Sequence, residues 1–167
     1  NDRLALALER SKRTGDMLAV MFMDLDGFKY VNDTYGHDVG DQALRVVAER
    51  LREHKRETDT LARLGGAEYL LLNDTFASHE IAEKIRNRIL NAFQAPFSIG
   101  TSNIQLGISI GTAFYPQDGK DVQTLIKAAD TAMYKTKFST RHETQSGAKS
   151  KRADKRLAEV QPTPVSI

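Results

Sequence analysis

Two aspartates, Asp24 and Asp26, close the continuous apolar stretch MLAVMFMDLD at residues 17 to 26. Such a stretch predicts a strand buried on both faces, and the end of a strand is a rigid place from which carboxylates can be presented to a ligand. An Asp-x-Asp pair is also typical of an ordinary solvated strand end, so both interpretations stay open. We expect only one of the two acids to face a given site.

A second candidate for chemistry is the stretch ARLGGAEYLLL at residues 62 to 72. The adjacent glycines Gly65 and Gly66 predict a hairpin, because glycine adopts the positive φ values that tight turns require. One carboxylate, Glu68, follows the turn. The stretch is either the rim of an active site that lacks a metal ligand, or a plain hairpin.

The remaining sequence indicates which elements position these residues. Apolar residues at helical spacing predict helices over 2–13, 41–54, 78–93 and 121–137, and a short helix and turn in FKYVNDTYGHDVG. Ser78, at the start of the helix predicted over 78–93, is expected to cap that helix. Strands are predicted over 17–26, over both arms of a hairpin in DTLARLGGAEYLLLND, and over 104–115. This order predicts an α+β fold with a central, mostly antiparallel sheet and flanking helices.

Composition limits the class of protein. With 167 residues and 40% hydrophobic content, the chain suits one domain with a full core. We expect no membrane segment, because no apolar stretch is long enough to cross a bilayer, and no signal peptide, because the N-terminus is polar. Cysteine is absent, which fits a cytoplasmic location.

Charge separates a body from a tail. Residues 139–167 carry six of the 24 basic residues but only three of the 22 acidic ones, and they are poor in large apolar side chains. We expect a domain over 1–141, truncated at its N-terminal edge, and a basic, disordered tail or linker over 142–167. Cations without interleaved aromatic residues do not favour nucleic-acid binding.

Beyond these patterns, the sequence resembles a known family. The stretch DLDGFKYVNDTYGHDVGDQAL is followed by RLGGAEY, GISIGTAFYPQDG and AADTAMYKTK, a series similar to the signature of the GGDEF family. These are diguanylate cyclases, which condense two GTP into cyclic di-GMP. The resemblance runs from about Leu4 to Arg141 and implies a nucleotide-cyclase or palm-like fold. It also implies two domains facing each other, each holding one GTP, and hence a homodimer.

The resemblance implies roles for individual residues. Asp24 and the Leu25 carbonyl would hold Mg²⁺, which prefers hard oxygen ligands. Asn32 and Asp41 match the guanine readers, since an amide and a carboxylate can pair with that base. The other implied GTP-binding residues are Lys137, Arg141, Gly65 and Gly66, and the implied catalytic residues are Glu68 and Lys29. Without the family, Asn32 and Asp41 would be helix caps and the cations solvated surface.

The hairpin departs from the family pattern at one position. The family has Gly-Gly, then Asp or Glu as a metal ligand, then a catalytic Glu, then Phe. Here the metal-ligand position is Ala67, whereas Glu68 is kept and Tyr69 replaces Phe. We expect weak or no cyclase activity and weakened Mg²⁺ binding. The alternative is an active cyclase in which Glu68 performs the acid-base chemistry.

The segment RETD matches the register of the family's inhibitory site for cyclic di-GMP. Arg56 and Asp59 lie nine and six residues before Gly65. A guanidinium can make a forked contact with guanine or phosphate, and a carboxylate can accept from guanine N–H groups. The competing interpretation is an ion pair at the end of a helix.

Together these features favour a cyclic di-GMP signalling domain whose partners are cyclic di-GMP and GTP. A sensor or another signalling domain would lie outside this chain. A dimerisation scaffold that binds no nucleotide is the remaining alternative.

Overall fold

The computed structural model of the protein describes residues 2–73 and 78–137. The expectations for Arg141 and for the tail over 142–167 lie outside these residues. The helices are α1 (Asp2–Thr14), α2 (Phe28–Tyr35), α3 (His37–His54), α4 (His79–Ala92) and α5, whose described part covers 122–137. The strands are β1 (Leu18–Asp26), β2 (Thr60–Gly65), β3 (Glu68–Asn73), β4 (Phe97–Ile99), β5 (Ser102–Ile104) and β6 (Gly107–Tyr115).

The main sheet has four strands in the order β2-β3-β1-β6, and every neighbouring pair is antiparallel. One of its two inner strands, β1, is apolar on both faces, as its continuous hydrophobic sequence predicts. Met21, Met23 and Leu25 belong to the core cluster that α3 and α4 complete, while Val20 and Phe22 belong to the cluster that α1 and α5 complete. The predicted α+β fold with an antiparallel sheet and flanking helices is confirmed.

Local signals explain where several elements begin. The Ser78 hydroxyl accepts a hydrogen bond from the Ile81 amide at 3.1 Å, so Ser78 caps α4 as predicted. Gly66 adopts φ 49° in the hairpin between β2 and β3, a conformation that favours glycine. Gly111 lets the backbone of α5 approach β6, because a Cβ there would overlap with Ala129 and Met133.

The prediction of one strand over 104–115 is wrong at its start. Ile104 ends β5 and pairs with Phe97 of β4 in a separate two-stranded sheet. The chain then leaves strand geometry at Gln105, whose side chain donates to the Phe93 carbonyl at 2.9 Å. Strand β6 begins at Gly107. Alternating apolar residues continue across this break, which is why the sequence pattern could not locate it. Within the described residues, no helix is both long and apolar enough to span a bilayer.

Candidate nucleotide and regulatory sites

Asp24 and Asp26 lie on the same face of the sheet, at the end of β1. The expectation that only one of them could face a given site is wrong, because residues two apart in a strand share a face. The Lys137 ammonium, on α5, forms an ion pair with Asp24 Oδ2 and lies 3.5 Å from Asp26 Oδ1. The side chains of Lys137 and Asp24 are 19% and 20% exposed, so solvent screens this pair only partly.

Asp26 is held from the neighbouring strand. The Ser109 hydroxyl of β6 donates to Asp26 Oδ2 at 2.8 Å. Gly107, the register partner of Asp26, leaves room for its side chain, since an added Cβ would lie 3.1 Å from Asp26 Cβ. Sequence reasoning named Asp26 as a candidate but left it out of the site, and it missed Ser109. The spacing of two between the aspartates was the signal that could have found Asp26.

The hairpin brings two further residues to this end of the sheet. Glu68 is exposed and pairs in register with Asp24, and directly opposed residues of neighbouring strands share a face. The Ala67 carbonyl accepts a hydrogen bond from the Leu25 amide at 3.2 Å. Arg63 Nε donates to the Gly66 carbonyl at 2.9 Å and closes the turn. Position 67 is therefore adjacent to Leu25, and it carries only a methyl group, half-buried against the core.

Packing of α2 against α3 places Asn32 beside Gly40, the residue before Asp41. The side chain of Asn32, on α2, lies over Gly40 of α3, where an added Cβ would overlap with Asn32 Oδ1. Asp41 follows Gly40 and is exposed. Lys29 lies in the first turn of α2 and is also exposed.

The segment from Arg56 to Asp59 is a turn that follows α3 rather than the end of a helix. Asp59 Oδ2 accepts from the Arg56 backbone amide at 2.8 Å, and the Asp59 amide donates to the Arg56 carbonyl at 3.1 Å. Asp59 Oδ1 accepts from Asn73 Nδ2 at 2.6 Å. In the part of the chain that the structure describes, Asp59 forms no ion pair with the Arg56 guanidinium. The helix-end ion pair is therefore not the arrangement found.

Comparison with known proteins identifies the family. Residues 1–143 match the family described as diguanylate cyclase, GGDEF domain. The chain belongs to the GGDEF family. The match covers every residue of the candidate sites described above. The chain is therefore a GGDEF domain of cyclic di-GMP signalling.

Relatives of this GGDEF domain are longer proteins. It is 43% identical over 145 residues to MucR of Pseudomonas aeruginosa, a bifunctional diguanylate cyclase/cyclic di-GMP phosphodiesterase, with 85% of this chain and 21% of MucR covered. It is 39% identical over 140 residues to the diguanylate cyclase TpbB of Pseudomonas aeruginosa, with 83% of this chain and 32% of TpbB covered. The chain thus spans about a fifth of MucR and a third of TpbB.

Solved structures agree with the fold of the GGDEF domain. The crystal structure of the TpbB GGDEF domain matches with a TM-score of 0.80 and 38% identity, covering 83% of this chain and 86% of that one. The active GGEEF domain of a diguanylate cyclase from Vibrio cholerae matches with a TM-score of 0.75 and 25% identity, covering 83% of this chain and 87% of that one.

The donor set of this GGDEF domain fits Mg²⁺ on chemical grounds. Mg²⁺ requires only one or two protein carboxylates and takes its other ligands from phosphates and water. Asp24 presents one carboxylate that already attracts a cation, the Lys137 ammonium. Among residues 2–73 and 78–137, no three His, Cys, Asp or Glu side chains form a metal-binding group by themselves.

Proposed function

We propose that this GGDEF domain binds cyclic di-GMP at the turn from Arg56 to Asp59, and GTP beside Asp24, with weak or no cyclase activity. The proposed loss of cyclase activity rests on one observation. The Ala67 carbonyl is hydrogen-bonded to the Leu25 amide, so residue 67 lies next to the backbone ligand of the proposed metal site. A methyl group at that position cannot supply an oxygen to a cation.

The remaining residues have distinct proposed roles. Asp24 and the Leu25 carbonyl would hold Mg²⁺, which when bound neutralises charge on the phosphates. Asn32 and Asp41 would select guanine, because adenine would leave their donor and acceptor groups mispaired. The phosphate-binding cations would be Lys29, Lys137 and Arg141, with the backbone at Gly65 and Gly66 close to the same groups.

An active diguanylate cyclase is the second candidate function, and one observation favours it. Glu68 pairs in register with Asp24, and Asp26 shares the same face of the sheet. Two acidic residues besides Asp24 therefore lie on the same face of the sheet as the proposed metal site. Glu68 would then perform acid-base chemistry while Asp26 adds negative charge beside the ion.

Restoring the acid at position 67 distinguishes these candidates. Purified protein and the variants Ala67→Asp and Ala67→Asn are incubated with GTP and Mg²⁺, and cyclic di-GMP is quantified. Losing one preorganised charged group typically costs about 10²- to 10³-fold in rate, so Ala67→Asp should be faster than the unaltered protein by that factor. Ala67→Asn, which matches Asp in size but lacks its charge, should stay slow. Turnover by the unaltered protein within about tenfold of Ala67→Asp would favour the active cyclase.

Binding of cyclic di-GMP is tested separately by calorimetry. The Arg56 guanidinium has no hydrogen-bond or ion-pair partner among the described residues, so its donors are free for a ligand. Arg56→Ala should weaken binding strongly, whereas the exposed neighbour Glu57→Ala should leave it unchanged. If neither cyclic di-GMP nor GTP binds at micromolar concentration, the domain is a scaffold instead. The relative MucR carries a phosphodiesterase activity in its name, which is compatible with a regulatory role for the GGDEF domain beside such a unit.

A further inference from the structure

The two carboxylates at the end of β1 are held in different ways. The Lys137 ammonium forms its ion pair with Asp24 Oδ2 and lies 3.5 Å from Asp26 Oδ1. The other oxygen of Asp26, Oδ2, accepts from the Ser109 hydroxyl at 2.8 Å. Ser109 therefore occupies one oxygen of Asp26 and leaves the other directed at Lys137.

Strand β6 holds the Asp26 carboxylate independently of Lys137. Ser109 is 3% exposed and lies in β6, which pairs with β1 from Leu18 to Asp26. The register partner of Asp26 is Gly107, and an added Cβ there would lie 3.1 Å from Asp26 Cβ. The Asp26 side chain can thus keep its place and its Ser109 bond when Lys137 moves.

Lys137 cannot keep its partner at Asp24 if a divalent cation binds that carboxylate. Two positive charges a few ångströms apart repel each other, and solvent screens them only partly because the Lys137 side chain is 19% exposed. Asp26 Oδ1 is an acceptor that the ammonium reaches by a small shift, since the two atoms already lie 3.5 Å apart. An ammonium and a carboxylate in contact form a strong, charge-assisted hydrogen bond.

We infer that Asp26 and Ser109 are positioning residues for Lys137 in the nucleotide site. When Asp24 is engaged by a divalent cation, the Lys137 ammonium passes to Asp26, and there it stays beside the phosphates instead of turning into solvent. Asp26 acts through Lys137 and is not itself a ligand of the cation. This inference rests on the proposed binding of GTP and Mg²⁺ beside Asp24.

The charge of Asp26 distinguishes this role from a general electrostatic effect. A carboxylate close to a triphosphate repels it, so removal of the charge alone should strengthen nucleotide binding. If Asp26 instead holds Lys137, the substitution Asp26→Asn should weaken binding, because the ammonium loses its support. The amide keeps the size of the side chain and an oxygen for the Ser109 hydroxyl.

The first experiment follows the Lys137 ammonium by NMR, with its signal assigned by its absence in Lys137→Met. Slow exchange of the ammonium protons reports a persistent ion pair. In the metal-free protein, slow exchange should persist in Asp24→Ala, because Asp26 then holds the ammonium. With Mg²⁺ added, it should persist in the unaltered protein and be lost in Asp26→Asn. Asp16→Asn, which removes an exposed charge before the start of β1, is the matched control and should behave as the unaltered protein.

The second experiment measures binding of 3′-deoxy-GTP with Mg²⁺ by calorimetry, because this nucleotide lacks the hydroxyl needed for condensation. Asp26→Asn should weaken binding by about tenfold, the scale of one hydrogen bond to a charged group, and Ser109→Ala should weaken it less. In the Lys137→Met background, neither substitution should change the affinity by more than about threefold, because substitutions that act through one contact are not additive.

Fast exchange of the Lys137 ammonium in metal-free Asp24→Ala, or in the unaltered protein with Mg²⁺, would overturn the inference, because Asp26 would then not hold it. Equal losses of affinity from Asp26→Asn with and without the Lys137 side chain would show that Asp26 acts on the cation directly. Tighter binding in Asp26→Asn would show that the carboxylate only repels the nucleotide. If the unaltered protein binds no 3′-deoxy-GTP while metal-free Asp24→Ala keeps slow exchange, the proposed nucleotide site fails, and with it the role of Asp26 there, although the pair of Lys137 and Asp26 stands.

Discussion

At the scale of single residues, Lys137 would compete with a divalent cation for the Asp24 carboxylate of the proposed metal site. The Lys137 ammonium contacts both Asp24 and Asp26. A divalent cation bound to Asp24 would lie close to this ammonium, and two positive charges a few ångströms apart repel strongly where solvent screens them only partly. Lys137→Met removes the charge and should tighten Mn²⁺ binding to the nucleotide-free protein by about tenfold, or about 1.4 kcal/mol. Titration followed by electron paramagnetic resonance measures this affinity. Lys127→Met, on the same helix, is the control, and equal Mn²⁺ affinities in all three proteins would contradict the prediction.

Gly40, which has no side chain, leaves the space that the Asn32 amide occupies. A Cβ at Gly40 would overlap with Asn32 Oδ1, so Gly40→Ala must displace the amide. The substitution should weaken GTP binding as much as Asn32→Ala does, measured by calorimetry. Helix stability should not fall, because Ala is favoured over Gly inside a helix by about 1 kcal/mol.

The control for this prediction is the double variant Asn32→Ala/Gly40→Ala. Two substitutions that remove the same interaction are not additive, so the double variant should bind GTP no more weakly than Asn32→Ala. Additive losses would indicate that Gly40 acts by another route.

At the scale of elements, sequence periodicity predicted the long elements and missed the short ones. Helices α3 and α4 bury an apolar stripe at helical spacing, so their pattern is unambiguous. Strands β4 and β5 have three residues each, too few for any periodicity. The family resemblance implied a role for Asp24 but none for Ser109, which lies within GISIGTAFYPQDG, or for Asn73, which lies outside the motifs. Both reach their partners through strand pairing. Such contacts depend on register, which the sequence alone does not fix.

Arg50 joins α3 to the end of α4 and the start of β4. Its guanidinium donates to the carbonyls of Ala92, Ala95 and Pro96 at 3.2, 2.7 and 2.9 Å, and lies 3.6 Å from the centre of the Phe97 ring. Arg50→Ala should lower the free energy of unfolding by about 3 to 4 kcal/mol, since each of the three hydrogen bonds contributes about 1 and the cation–π contact adds to them.

Urea denaturation measures the effect of the Arg50 substitution. Arg50→Lys should recover little, because an ammonium cannot donate in several fixed directions. Arg45→Ala, an exposed position on the same helix, is the control. A loss no larger than that of Arg45→Ala would contradict a joining role for Arg50.

Tyr69 links β3 to α3 and gives the stability of the domain a dependence on alkaline pH. Its hydroxyl donates to the Leu44 carbonyl at 3.1 Å, and burial raises the pKa of Tyr69 above its ordinary value of 10.0, while Arg63 and Arg52 oppose the shift. The unfolded chain therefore loses this proton at lower pH than the folded one. The contribution of the neutral hydroxyl is complete below pH 10 and is lost as the pH rises toward the folded pKa.

The variant Tyr69→Phe tests this dependence. It removes one hydrogen bond and should cost about 1 kcal/mol at neutral pH. Above pH 10 its free energy of unfolding should fall less steeply than that of the unaltered protein. Parallel curves in urea denaturation at several pH values would show that Tyr69 is not the group responsible.

At the scale of the whole molecule, β3 separates the two proposed sites. Its first residue, Glu68, pairs with Asp24, and its last, Asn73, holds Asp59. A strand of six residues spans roughly 17 Å at about 3.3 Å per residue. Substitutions at such distances with no shared partners usually act independently.

Binding of cyclic di-GMP should therefore require no metal and should survive Asp24→Ala. Calorimetry with and without EDTA should give the same affinity, because the hydrogen bonds that hold the turn from Arg56 to Asp59 come from Asp59, Asn73 and Lys55 and not from Asp24. Arg56→Ala should cost about 2 to 3 kcal/mol, the scale of one good forked contact, and Arg56→Lys should recover little of it. Loss of cyclic di-GMP binding in EDTA or in Asp24→Ala would mean that the ligand occupies the metal end of the sheet, so that the two sites are one.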